Sequence, residues 1–190
     1  MKNNATIDRK MDDAYNLVEK ANEHMTRIYM EHVLFTWQWW VALFLCIAPW
    51  VLWIIYRKKE STWRLMTSGM FVMLISSWLD SVGSSFDFWH YHYDVLPTIP
   101  SYEPWDFTLM PVTIMFLLQF KPNVSPFLKA VIFGILSAFV AEPFFTWIGL
   151  YHTENWKFIY SLPIYIVIYL SAHFICTRKD FDDLKKGCHY

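Results

Sequence analysis

Apolar residues run almost unbroken through five stretches of this chain, 35–56, 65–85, 105–120, 127–150 and 158–176, and polar residues collect between them. Within each stretch the apolar positions are continuous rather than alternating. That pattern predicts helices, which satisfy their backbone hydrogen bonds internally, and not the two-residue period of barrel strands. At a rise of about 1.5 Å per residue, about 20 helical residues cross a hydrocarbon core of about 30 Å. The 105–120 stretch is the shortest and carries Pro111, so it spans only with flanking residues or a thin local bilayer.

Ahead of these stretches, Ile7, Met11, Ala14, Val18, Ala21, Met25 and Ile28 recur at alternating steps of four and three. Such a heptad-like stripe, with charges between its members, predicts one amphipathic helix. Lying along the membrane interface or packing on the bundle is its simplest use. Pairing with a second copy, or with a membrane-protein partner through residues 7–28, is the alternative. Few basic residues line its polar face, so strong attraction to anionic lipid is not implied. The expected fold class is all-α: a polytopic transmembrane bundle of five spans (35–176), an amphipathic N-terminal helix (1–34) and a polar cytoplasmic tail (177–190).

Composition agrees with a bilayer as the solvent. The 190 residues are 55% hydrophobic and only 17% charged, against about 25% charged in soluble domains. A net charge of −1 without a basic patch excludes general binding to nucleic acid. Cys46, Cys176 and Cys188 show neither disulfide nor zinc spacing, and the first two read as small apolar residues. The first apolar run starts only near Phe35, so no cleaved secretory signal is expected.

Lysine and arginine near the span ends set the expected direction. The first connection holds Arg57, Lys58, Lys59 and Arg64, and the second, 86–104, holds none. The third has Lys121 and Lys129, the fourth Lys157 only, and the tail Arg178, Lys179, Lys185 and Lys186. This alternation places the N-terminus outside and the C-terminus in the cytoplasm, although Lys20 and Arg27 mildly oppose it. Nine tryptophans and Tyr56 near the boundaries, Trp89 and Trp156 among them, fit interfacial belts and are given no chemical role.

Against that background a charge inside a span needs a reason, since a mid-bilayer carboxylate costs at least about 2.5–3.5 kcal/mol. Ser76, Ser77, Asp80, Gly83 and Ser84 fall on one helix face that continues to Asp87. Ala130, Gly134 and Ala138, spaced by four, lead toward Glu142 and would let a neighbouring backbone approach closely. Pro143 follows, freeing the Phe139 carbonyl and predicting a kink. Asp106 opens the third span, where the helix dipole favours a negative charge. Asp80, Asp106 and Glu142, with Ser76, Ser77 and Ser84, form the candidate pocket in the outer half of the bundle. The competing reading is that each carboxyl is satisfied locally and only fixes packing.

Secondary candidates surround this set. The second connection carries Asp87, His90, His92 and Asp94, where His-x-His is a weak metal signal that needs extended backbone to share a face. No third histidine is nearby in sequence, although His152 and Glu154 lie on the same expected side; interfacial hydrogen bonding is the simpler reading, and no metal ligand is assigned. Ser161, Tyr165, Tyr169 and His173 follow at steps of four, a polar track explained as well by interhelical hydrogen bonds as by proton relay. Pro49, Pro111, Pro143 and Pro163 lie inside spans, and kinked helices open cavities between them. None of this names a cofactor.

The segments Trp78-Leu79-Asp80, Pro104-Trp105-Asp106, Ala141-Glu142-Pro143 and Ser161-Leu162-Pro163-Ile164-Tyr165 resemble an uncharacterised family of small multi-pass membrane proteins from spore-forming Gram-positive bacteria. The resemblance covers roughly residues 65–175. It implies a bacterial cytoplasmic membrane and a common site for the three carboxylates, but no activity. The leading functional expectation is a non-enzymatic small transporter, an ion- or lipid-binding component or an accessory subunit. A membrane-embedded enzyme acting on a lipid-linked substrate through these carboxylates is the runner-up, and a structural partner using the N-terminal helix is the third.

Overall fold

A computed structural model describes residues 2–97 and 101–178; residues 179–190 of the expected tail, Cys188 included, lie outside the described residues. Helix α1 (Lys2–Ile28) passes through a π turn, Tyr29–Val33, to α2 (Trp37–Tyr56). The Thr36 hydroxyl caps α2 by accepting from the Trp39 amide at 3.3 Å. Then come α3 (Thr62–Ser85), strand β1 (Trp89–Tyr91), a π turn Pro104–Leu109 running into α4 (Met110–Gln119), and α5 (Pro126–Leu136). A further π turn, Ser137–Ala141, leads to α6 (Glu142–Trp147), β2 (Tyr151–Thr153) and α7 (Phe158–Thr177).

Among the described residues, four helices are long and apolar enough to cross a membrane: Trp37–Tyr56, Lys59–Ser85, Pro126–Trp147 and Phe158–Thr177. The third expected span is helical from Pro104 to Gln119 but shorter than these. Side chains of α1 from Thr6 to Met25 are exposed along its length. Helix α3 packs on α4 and α7, α5 lies along α7, and α2 meets the π turn ahead of α4. Their shared core includes Trp53, Leu65, Val72, Ile114, Met115, Phe133 and Tyr169.

Prolines shape this packing through the bonds they remove. Pro49 cannot donate to Leu45, and the freed Leu45 carbonyl accepts from the Thr108 hydroxyl at 2.8 Å. Pro111 leaves the Phe107 carbonyl free, and the Trp50 indole N–H donates to it at 3.0 Å. The two breaks thus hold α2 to the start of α4 reciprocally. Pro143 follows the π turn Ser137–Ala141, a widened turn that absorbs the helix distortion there. Ala130 and Ala138 are fully buried, and a side chain at Gly134 would lie 3.2 Å from the Leu162 carbonyl, so the small-residue track is where α5 meets α7.

The expectation of helices alone missed one element. β1 and β2 pair antiparallel, with His90 opposite His152, Trp89 opposite Thr153 and Tyr91 opposite Tyr151. The Phe88 carbonyl extends the pairing by accepting from the Glu154 amide at 3.0 Å. This ribbon closes the end of the bundle where α3 ends and α7 begins, above a small core of Tyr102, Phe145, Leu150 and Tyr151.

Candidate functional site

Asp80, Asp106, Glu142, Ser76 and Tyr165 line one cavity of about 90 Å³ beneath the ribbon. That is room for several waters or a small ligand. Each carboxyl comes from a different element: Asp80 from α3, Asp106 from the π turn before α4, Glu142 from the start of α6 just after the π turn Ser137–Ala141. The two π turns inside the bundle, Pro104–Leu109 and Ser137–Ala141, thus lie at the two carboxyls Asp106 and Glu142, and a widened turn shifts side chains out of helical register.

The three carboxyls differ in their bonding. Asp80 Oδ1 accepts from the Trp89 indole at 2.5 Å and the Tyr91 hydroxyl at 2.7 Å, and Oδ2 accepts from the Tyr102 amide at 2.8 Å. Asp80 thereby anchors the ribbon and the start of the third helical segment to α3. Burial, and then the charges of Asp80 and Asp106, push the Tyr91 hydroxyl well up, which keeps it a donor. Glu142 Oε1 accepts from the Tyr165 hydroxyl at 2.7 Å. Its Oε2 and the Oδ2 of Asp106 are buried with no hydrogen-bond partner of ordinary geometry among the described residues. The Asp80 and Asp106 side chains lie within hydrogen-bonding reach of each other.

Aromatic rings wall the remaining space. Trp105 sits edge-on to Phe145 at 5.8 Å and to Tyr165 at 5.9 Å, and Tyr91 stacks on Tyr102 at 4.6 Å. Trp156 donates to the Ser161 hydroxyl at 2.9 Å on the α7 side. No lysine, arginine or histidine is among the described lining residues. Unpaired carboxyl oxygens, aromatic faces and low polarity together favour a cation over an anion or a neutral solute.

The other candidates lie elsewhere. Ser77 and Ser84 share α3 with Asp80 but do not line the cavity, and Asp87 is exposed at the turn after α3 with φ of 57°. Tyr169 is buried among the helices and His173 lies further along α7, both away from the cavity. His90 and His92 are on the ribbon and do not line it either. Asp94 lies in the connection beside Glu103, a residue sequence reading passed over; Glu103 accepts from the amides of Val95 at 3.3 Å and Leu96 at 3.1 Å. Also missed as site residues were Trp89, Tyr91, Tyr102, Tyr151 and Trp156. The one available signal was the alternation Trp89-His90-Tyr91-His92, which reads as a strand with an aromatic and a histidine face.

Asp94 gives this connection a pH dependence. Burial first, and then the charges of Glu103 and Asp80, push its carboxyl up to about 8. The unfolded chain releases that proton near the ordinary range of about 4. Folding takes up a proton between those values, so the stabilisation is complete below about pH 4 and is lost as pH rises toward 8. The thermal midpoint in detergent should fall between pH 5 and pH 9, and Asp94→Asn should flatten that slope. A slope unchanged in the variant would assign it to another group.

The chain matches no family model, and neither a curated protein nor a solved structure matches it.

Proposed function

We propose that this chain is a five-span protein of a bacterial cytoplasmic membrane, with the N-terminus outside and the C-terminus inside, whose acidic cavity binds a small organic cation. It acts as a small transporter or a binding component. The alternation of basic and non-basic connections supports this direction, with 104–119 as the third of the five spans and α1 along the interface. In that frame the ribbon faces outside and the cavity lies in the outer half of the bundle.

The observation that carries the ligand class is the pair of partnerless carboxyl oxygens, Asp106 Oδ2 and Glu142 Oε2, in a cavity walled by aromatic rings. An alkylammonium N–H suits a carboxyl oxygen of this kind by a charge-assisted hydrogen bond, and the ring faces attract its charge. The enzyme reading needs free carboxyls to move protons at a substrate. Asp80 is occupied by three donors and serves it poorly.

Tryptophan fluorescence tests the assignment, because Trp89, Trp105 and Trp156 line the cavity. Titrating purified protein with methylammonium through tetramethylammonium and choline should give a saturable change that neutral isosteres do not. Glu142→Gln should weaken binding by about tenfold or more, the scale of one charge-assisted hydrogen bond, while the thermal midpoint moves little. Equal responses to cations and neutral isosteres would sink the cation assignment, as would full binding in both Glu142→Gln and Asp106→Asn.

A further inference from the structure

The ribbon has two faces, and the cavity uses only one. Trp89, Tyr91 and Tyr151 point to the cavity. Strand alternation sends His90 and its partner His152 the other way. His92 joins them, since the His90 and His92 rings lie 5.0 Å apart, His90 and His152 4.9 Å, and His92 and His152 5.6 Å. Glu154 completes the group, with its Oε1 3.2 Å from His152 Nε2.

We propose that His90, His92, His152 and Glu154 form a transition-metal site on this second face, with Zn²⁺ as its ion. The ligating atoms of His90, His152 and Glu154 all lie within 4.8 Å of one another. Bonds of about 2.0–2.1 Å to a tetrahedral zinc separate neighbouring ligand atoms by about 3.3 Å. The His152–Glu154 distance already matches that edge, and rotation of the imidazoles closes the others. Glu154 and His152 are half exposed, at 45% and 49%, so an ion reaches the site from solution. Imidazole and carboxylate donors without a thiolate suit Zn²⁺, Ni²⁺ or Cu²⁺ and disfavour Cu⁺, Mg²⁺ and Ca²⁺. Simple hydrogen bonding accounts for His152 and Glu154 but leaves two further imidazoles gathered on the same face without a reason.

A metal here ties β1 to β2. The same strands hold Trp89 and Tyr91 against Asp80, so occupancy braces the wall of the cavity from behind. The site itself stands whether or not the cavity binds cations.

The test uses full-length protein in detergent without an affinity tag. Zn²⁺ is titrated calorimetrically with Mg²⁺ as the control, and Co²⁺ binding is read by its visible absorption. One equivalent of Zn²⁺ should bind and raise the thermal midpoint. His90→Ala, His152→Ala and the exposed Glu154→Gln should each weaken it about tenfold or more, and His24→Ala should leave it unchanged. Glu154→Gln keeps the test decisive if a histidine variant fails to fold. Absence of stoichiometric Zn²⁺ binding, affinity unchanged in Glu154→Gln and the foldable histidine variants, or a thiolate charge-transfer band with Co²⁺ would overturn the assignment. Amine titration of these variants separates the two readings, because the cavity residues are untouched.

Discussion

Asp80→Ala should be among the most destabilising single substitutions in this protein, while Glu142→Gln should be mild. Removing the Asp80 carboxyl strands three donors at once: the Trp89 indole, the Tyr91 hydroxyl and the Tyr102 amide. Each buried group left without a partner costs about 1–3 kcal/mol, and the rings around them exclude water that would take over. A loss of about 4 kcal/mol or more is expected, enough to release the ribbon and the 86–104 connection. Asp80→Asn keeps one oxygen acceptor but turns an NH₂ toward a donor, so it should fall between. Thermal midpoints by intrinsic fluorescence, with proteolysis of the 86–104 connection as a local readout, rank the three variants. If Asp80→Ala melts with Glu142→Gln, Asp80 is not the anchor its bonds describe.

That ranking divides the three carboxyls in a way their sequence context does not. Asp80 and Glu142 look alike along the chain, each a lone acid inside an apolar run with small residues at helical spacing. The difference lies in what meets them. Asp80 is met by donors from a connection whose tryptophan and tyrosines resemble any interfacial belt, since composition does not say where an indole N–H points. Glu142 is met by side chains of α7, Tyr165 at 2.7 Å with Ser161 in reach, and by no donor from the connection.

The helices were legible because each apolar run and each proline acts locally. The freed carbonyls at Leu45 and Phe107 follow from Pro49 and Pro111, and only the partners Thr108 and Trp50 required the fold. The track of Ala130, Gly134 and Ala138 was readable for the same reason. The ribbon was not, because an alternation only four residues long is a weak strand signal and its partner lies far along the chain. With the ribbon hidden, the inward face of Trp89 and Tyr91 and the outward face of the histidines were hidden together. The expected topology puts His152 and Glu154 on the same side as His90, but only the strand pairing brings them together.

Gly83→Ala carries the second large effect, and it tests the contact between α3 and the ribbon directly. A Cβ at Gly83 would stand 2.0 Å from Trp89 Cζ2 and 2.3 Å from Cη2, far inside van der Waals contact. The indole cannot yield cheaply. Its N–H is held by Asp80, and Trp156 packs edge-on at 4.9 Å. Overpacking costs about 1–3 kcal/mol, and losing the indole bond adds about 1 kcal/mol more, so about 3 kcal/mol is expected. Gly69→Ala is the internal comparison. Its Cβ would meet the Met115 Sδ at 2.7 Å, and a methionine end rotates away, so under about 1 kcal/mol is expected there. A double-mutant cycle isolates the clash. In a Trp89→Ala background the ring is gone, and Gly83→Ala should cost little beyond that first change. An equal cost for Gly83→Ala in both backgrounds would place the strain in α3 itself and detach Trp89 from the wall of the cavity.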